Sequence, residues 1–221
     1  WIEKDFPFFS CVVDARSEGI KDNLTPRAIV LPLGNGHYLA YDLDMLRVAA
    51  VWKAKDIPFE NASMSVNSYP YELKKVGGGQ GALPKPKGKI LFQNGIYPGV
   101  GSGAPDFTDH RPLQPTKEEV GRGALDPKVA RFKGIKLRSP IELEYEIAKT
   151  WVRERIRLGK DGLVRRLEIG PHEKTLYFVL AQTGPDTPEF FCQGDGRIER
   201  TSGRAVCVIP ASQERKIVSL V

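Results

Sequence analysis

Ile141-Glu142-Leu143-Glu144-Tyr145-Glu146-Ile147-Ala148-Lys149-Thr150-Trp151-Val152-Arg153-Glu154-Arg155-Ile156-Arg157-Leu158 decides the fold. Ile141, Leu143, Tyr145 and Ile147 alternate with Glu142, Glu144 and Glu146; Val152, Ile156 and Leu158 then alternate with Arg153, Arg155 and Arg157. A period of two over this length is the mark of a half-buried strand, and here two such strands follow each other. Closing them as a hairpin around 148–151, with Ile147 opposite Val152, sets Glu146 against Arg153, Glu144 against Arg155 and Glu142 against Arg157. Each such pair contributes only roughly 0.2–1 kcal/mol, whereas a one-residue slip would turn the apolar face to water, so the pattern holds the register. The same pairing accounts for the arginine row without an anion or polysaccharide track. Glu154, opposite Tyr145 in this register, interrupts the apolar face for no reason visible in the sequence.

Working outward, strand signals dominate. Arg27 to Leu33, His37 to Leu43 and Leu46 to Trp52 are short runs rich in β-branched and aromatic residues, punctuated by Pro32, Gly34-Asn35-Gly36 and Asp44. Further strands are expected over Leu163 to Ile169, Thr175 to Ala181, Ala205 to Ile209 and Lys216 to Val221, with a turn at Gly194-Asp195-Gly196. The alternation predicts an all-β fold of antiparallel sheets packed as a two-layer sandwich, a single domain over 1–221. From Val76 to Pro115, fifteen of forty residues are Gly or Pro, and only Lys89 to Phe92 resembles a strand. The stretch 76–131 therefore reads as a long surface excursion, and 212–221 as the start of a following module. Thr116 with Glu119 has the spacing of a capping box, and Asp126-Pro127 that of an N-cap with Pro at the first helical position; both predict single-turn helices.

At 221 residues the chain is long enough to bury a core without metals or disulfides. Its longest apolar runs fall far short of the roughly 20 residues of a membrane helix. The formal charge of +6 comes from 33 basic residues dispersed among 27 acidic ones, without the basic stripe and interleaved aromatics of a nucleic-acid surface. The first residue, Trp1, suggests a processed or trimmed chain. Cys11, Cys192 and Cys207 make no C-x-x-C pair. Cys192 and Cys207 on neighbouring strands could bond in an oxidising compartment; three buried thiols acting as small hydrophobes is the equal alternative.

Chemistry is sparse. Gly77-Gly78-Gly79-Gln80-Gly81 lacks the Lys-Ser or Lys-Thr of a phosphate loop, and Gly99-Val100-Gly101-Ser102-Gly103 fits neither the dinucleotide fingerprint nor a hydrolase elbow. His37, His110 and His172 are too scattered for a metal motif. Two acidic groups remain: Asp42 and Asp44 at a strand end, and Asp106, Asp109 and His110 in the Gly/Pro-rich stretch. Oxygen ligands of this kind could hold Ca²⁺, and with an aromatic such as Trp52 could grip sugar hydroxyls. Asp equally ends strands and makes turns. No residue is assigned a catalytic role, and no metal or cofactor is expected in this chain beyond that Ca²⁺ option.

The run Thr25-Pro26-Arg27-Ala28-Ile29-Val30-Leu31-Pro32-Leu33-Gly34, followed by Tyr41-Asp42-Leu43-Asp44-Met45-Leu46-Arg47-Val48-Ala49-Ala50-Val51-Trp52, resembles an uncharacterised domain near the start of large exported bacterial proteins. Those proteins also carry a sorbosone-dehydrogenase-like β-propeller and a c-type haem module. Ala130-Arg131-Phe132-Lys133-Gly134, Ile141 to Ile156 and Leu163 to Leu180 with Arg166 fit the same pattern in order. The resemblance implies a periplasmic or extracellular location and association with redox or carbohydrate-processing machinery. It supplies no catalytic residues, and without C-x-x-C-H or a propeller, haem and dehydrogenase activity are not carried over. The expected function is thus a non-catalytic binding or assembly domain, its partner a protein, other modules of the same polypeptide, or a glycan. The alternatives are a carbohydrate-active enzyme or part of one, and an accessory subunit of a membrane or cytochrome complex.

Overall fold

The structure, a computed structural model, describes residues 7–55, 57–60, 83–113, 122–184 and 188–221. It is all-β: its strands pair antiparallel, and among the described residues there is no helix. The chain forms two compact units.

The first unit is drawn from the described residues of 1–43, 48–96 and 110–124. Its five-stranded sheet has the order β1-β2-β3-β4-β7, where β1 is Phe9–Asp14, β2 Leu24–Gly34, β3 His37–Asp42, β4 Arg47–Lys53 and β7 Lys89–Gln93. The short strands β5 (Phe59–Glu60) and β6 (Lys85–Pro86) pair separately. β2 and β3 join through Gly34-Asn35-Gly36, whose φ angles of 85°, 52° and 73° are all left-handed. Gly36 is required twice over, because a Cβ there would also strike the Ala54 carbonyl; the Ala54 N–H donates to Gly36 O at 2.9 Å. Small residues, Ala28, Ala40, Ala49 and Ala50, let the sheet close around Val13, Val30, Trp52 and Phe59.

The second unit comprises 44–47, 97–109 and the described residues of 125–221. One sheet has six strands in the order β14-β17-β12-β11-β10-β9, from β14 (Cys192–Gln193), β17 (Lys216–Leu220), β12 (Leu163–Ile169), β11 (Thr150–Leu158), β10 (Glu142–Ile147) and β9 (Ala130–Lys136). The other has four, β15-β16-β13-β8, from β15 (Arg197–Thr201), β16 (Arg204–Ile209), β13 (Leu176–Gln182) and β8 (Val100–Ser102). Leu143, Tyr145, Ile147, Val152, Ile156, Leu167, Ile169, Val218 and Leu220 are buried, as the period of two requires.

The β10–β11 hairpin forms, but its register differs from the expected one by two residues. Ile147 faces Thr150, so Glu144 lies opposite Arg153 and Glu142 opposite Arg155, while Glu146 faces Trp151. The reason is the turn: Ala148 and Lys149, at φ 46° and 73°, close a two-residue loop instead of a four-residue one. A shift of two keeps every side chain on its face, so the Glu and Arg rows still meet. Arg155 Nη2 lies 2.6 Å from Glu142 and Arg153 Nε 3.0 Å from Glu144, and Lys136 of β9 also reaches Glu144. Arg157 lies opposite Val164 of β12.

Three further expectations are corrected. The described residues of 76–131 are not a bare surface excursion: β7 pairs with β4, β8 pairs with β13, and Asn94, Tyr97 and Val100 are buried. Asp126 starts a turn rather than a helix, its carbonyl accepting from Val129 and Ala130 and its carboxylate from the Lys128 N–H at 2.8 Å. Residues 212–221 do not open a new module, since β17 lies between β12 and β14. The Thr116–Glu119 box and the Gly77–Gly81 loop lie outside the described residues.

Candidate functional site

Glu154 belongs to the buried face of β11 and is fully enclosed. The Tyr145 hydroxyl donates to its Oε2 at 2.7 Å and Arg165 Nε to its Oε1 at 2.5 Å, so the residue that interrupts the apolar pattern is the centre of a buried polar triad spanning β10, β11 and β12. A buried carboxylate survives only when paired and hydrogen-bonded in this way. The triad ties β10, β11 and β12 together within the sheet.

Space for a ligand lies instead at one end of the second unit, where turns from both sheets gather. A cavity of about 740 Å³ is lined there by Ser102 at the end of β8, Pro127 and Lys128 before β9, the Ala148-Lys149 turn with Thr150, the 171–174 connection, Leu176 and Gln213. His172 braces the floor: its Nδ1 is 2.8 Å from the Gly170 carbonyl and its Nε2 2.9 Å from that of Pro210. Backbone N–H groups of His172 and Ser212 donate to each other's carbonyls at 2.7 and 2.8 Å, tying the connection to the approach to β17. The buried His172 ring is thus held between two backbone carbonyls and serves as a brace. Lys128, Lys149 and Lys174 are exposed at the rim, where Glu173 supplies a carboxylate. Three ammonium groups with hydroxyl and amide side chains can hold an anion and hydrogen-bond its neighbours.

The residues singled out from sequence lie elsewhere. Asp42 and Trp52 belong to the first unit, Asp44, Asp106 and Asp109 to the second, and His110 to the first. Asp42, Asp44 and Trp52 are buried. Trp52 stacks on Tyr38 at 5.7 Å between ring centres, packs on Phe59 and donates its Nε1–H to Pro58 O at 2.7 Å, leaving no ring face for a sugar. Asp106 makes a turn, its carboxylate accepting the Thr108 N–H at 2.9 Å, and its backbone docks on the Tyr177 hydroxyl, which accepts from Asp106 N and donates to Asp106 O. Burial raises the Tyr177 hydroxyl above its ordinary value. Asp109 is half-buried and His110 exposed. Among the described residues no group of three or more His, Cys, Asp or Glu is placed to hold a metal ion, and no helix is long and apolar enough to cross a membrane.

Sequence reasoning missed Lys128, Lys149 and Lys174 because they come from separate turns with no common spacing, and Ser102, flanked by glycines, carries no motif that points to a binding site. The one available signal was Ala148-Lys149, a pair lacking the Asn or Gly that a two-residue hairpin favours.

Cys192 and Cys207 approach to 3.8 Å between sulfurs, with Cys192 on β14 of one sheet and Cys207 on β16 of the other. They are therefore not on neighbouring strands, as expected, but face each other across the layers. Cys11 is buried in the first unit, and burial pushes its thiol up to about 12.

No curated protein and no solved structure matches the chain. A family model described as a domain of unknown function, DUF6797, matches residues 39–154, just over half of the 221 residues, and the chain belongs to that family.

Proposed function

We propose that this chain is a non-catalytic binding domain whose second unit takes a carboxylate-bearing, hydroxyl-rich ligand, an acidic oligosaccharide, at the lysine-rimmed end of its two sheets. The observation that carries this reading is the convergence of Lys128, Lys149 and Lys174 with Ser102, Thr150 and Gln213 around one cavity of about 740 Å³. Ammonium groups attract a uronate carboxylate, and hydroxyl and amide groups exchange hydrogen bonds with ring hydroxyls. Arg153 and Arg155, the other cationic row, are engaged by Glu144 and Glu142 and so compete poorly for such a ligand. An extracytoplasmic setting, in a protein that processes carbohydrate or transfers electrons, suits this ligand and the resemblance noted above.

Titration calorimetry with an oligogalacturonate against its neutral oligosaccharide counterpart tests the reading. Binding of the acidic oligomer that weakens with added salt and is lost in the Lys149→Glu, Lys174→Glu double variant supports it. Equal binding of both oligomers, no binding of either, or binding indifferent to the double variant would overturn it. Cleavage of the oligomer during the titration would replace a binding domain with an enzyme.

A further inference from the structure

We propose that Cys192 and Cys207 form a disulfide that fastens the six-stranded sheet of the second unit to its four-stranded sheet. The chain passes from one sheet to the other between β14 and β15: Cys192 pairs with Leu220 of β17, and Ile198 already pairs with Cys207 of β16. Gly194, at φ 104°, makes the turn of that crossing. Two thiols thus face each other across the layers at 3.8 Å.

Gly196 is the second, independent sign. A Cβ built there would lie 2.8 Å from Cys192 Sγ, 2.9 Å from Cys207 Sγ and 3.4 Å from Val218 Cγ1. Only the absence of a side chain at 196 leaves room for the two sulfurs. Closing from contact to a bond of about 2.05 Å needs rotation of two side chains and a small shift of β14, a two-residue edge strand.

The oxidant is a small-molecule or protein disulfide. Half-buried Cys192 is the accessible thiol, whereas Cys207 is fully buried and burial pushes its thiol above the ordinary range. Cys192 as thiolate attacks the external disulfide, breaking its S–S bond, forming a mixed disulfide and releasing one thiol. Cys207, losing its proton, then attacks the Cys192 sulfur and displaces the second thiol. Two cysteines are oxidised, one external disulfide is reduced to two thiols, and the protons pass to them. Cys11, in the core of the other unit, takes no part.

The test uses the full chain and no saccharide, so it stands apart from the binding proposal. The protein is incubated with oxidised glutathione, quenched in acid, denatured, alkylated and mapped by peptide mass spectrometry. We expect a linked Cys192–Cys207 peptide with Cys11 alkylated, and a rise in the thermal midpoint that reverses with dithiothreitol. Cys192→Ala should lose both the link and the rise, and Gly196→Ala should lose most of the link under the same exposure. Alkylation of both cysteines, a glutathione adduct that stays on Cys192, or a link without any rise would overturn the proposal. If either variant fails to fold, mapping of the unaltered chain still decides it.

Discussion

Glu154 shows how a residue that looks misplaced in a sequence becomes necessary in a fold. Its carboxylate, without access to solvent, is held by the Tyr145 hydroxyl and by Arg165, which is itself only 5% exposed. The two deletions should therefore differ. Tyr145→Phe removes one hydrogen bond and should cost about 1 kcal/mol, whereas Glu154→Ala takes away the buried counter-charge of Arg165 and should cost about 3–5 kcal/mol. Urea unfolding of the two variants checks the order; equal costs would show that the ion pair adds nothing beyond one hydrogen bond. The contrast with Asp14 is instructive, because there the partner, Arg16, is half in solvent. Burial pushes the Asp14 carboxyl up, but hydrogen bonds and charge from Arg16, with Lys85 nearby, outweigh it and hold the group below its ordinary value.

Elements carry their own predictions, and the β10–β11 hairpin carries two. Hydrogen bonds from Lys136 chiefly, and from Arg153, hold the Glu144 carboxyl below its ordinary value against the opposing effect of burial. A folded-state value lower than the unfolded one gives stability that is complete above the unfolded value and is lost as pH falls through the folded one. Glu144→Gln should thus lower the urea midpoint at neutral pH and make its decline below about pH 4 shallower than in the unaltered chain. Parallel acid limbs would remove the ion pair from the account. The second prediction concerns the turn. Ala148 and Lys149 both sit in the left-handed region, where Asn-Gly is favoured, so Ala148→Asn with Lys149→Gly should raise stability by about 0.5–2 kcal/mol. The same change removes one of the three ammonium groups from the cavity rim. Tighter folding with weaker uptake of an acidic oligosaccharide is the expected result, from denaturation and calorimetry on one variant; improved binding would show that Lys149 does not serve the site. This turn also explains what the sequence withheld. Alternation from Ile141 to Leu158 made both strands and their faces legible, because burial on one side imposes a period of two. It could not tell a two-residue loop from a four-residue one, since shifting the register by two leaves every face unchanged.

On the scale of the molecule, the same logic separates what could be read from what could not. β2, β3, β4, β12, β13, β16 and β17 advertise themselves through runs of β-branched and aromatic residues, and the antiparallel all-β architecture follows from them. β8 does not: Val100-Gly101-Ser102 reads as loop, yet it pairs with β13, where a Cβ at Gly101 would strike the Tyr177 ring. Glycine there serves close approach, which a composition count takes for slackness. The cavity was illegible for a related reason, because it is assembled from turns far apart in the chain, none of which carries a motif of its own. The end of the chain is the sharpest case. Residues 212–221 look detachable, but β17 lies between β14 and β12 in the six-stranded sheet and pairs with both, and Val218 and Leu220 are buried. Withdrawing two such side chains costs roughly 1.5–3 kcal/mol each, before the lost ladder hydrogen bonds are counted. That is a large share of the roughly 5–15 kcal/mol by which domains are stable. Ending the chain at Pro210 should therefore abolish amide-exchange protection across β12 and β11, and the milder Val218→Asp should lower it in the same strands by burying an unpaired carboxylate. Full protection in the shortened chain would mean that the sheet closes without β17 and that the final strand is an appendage.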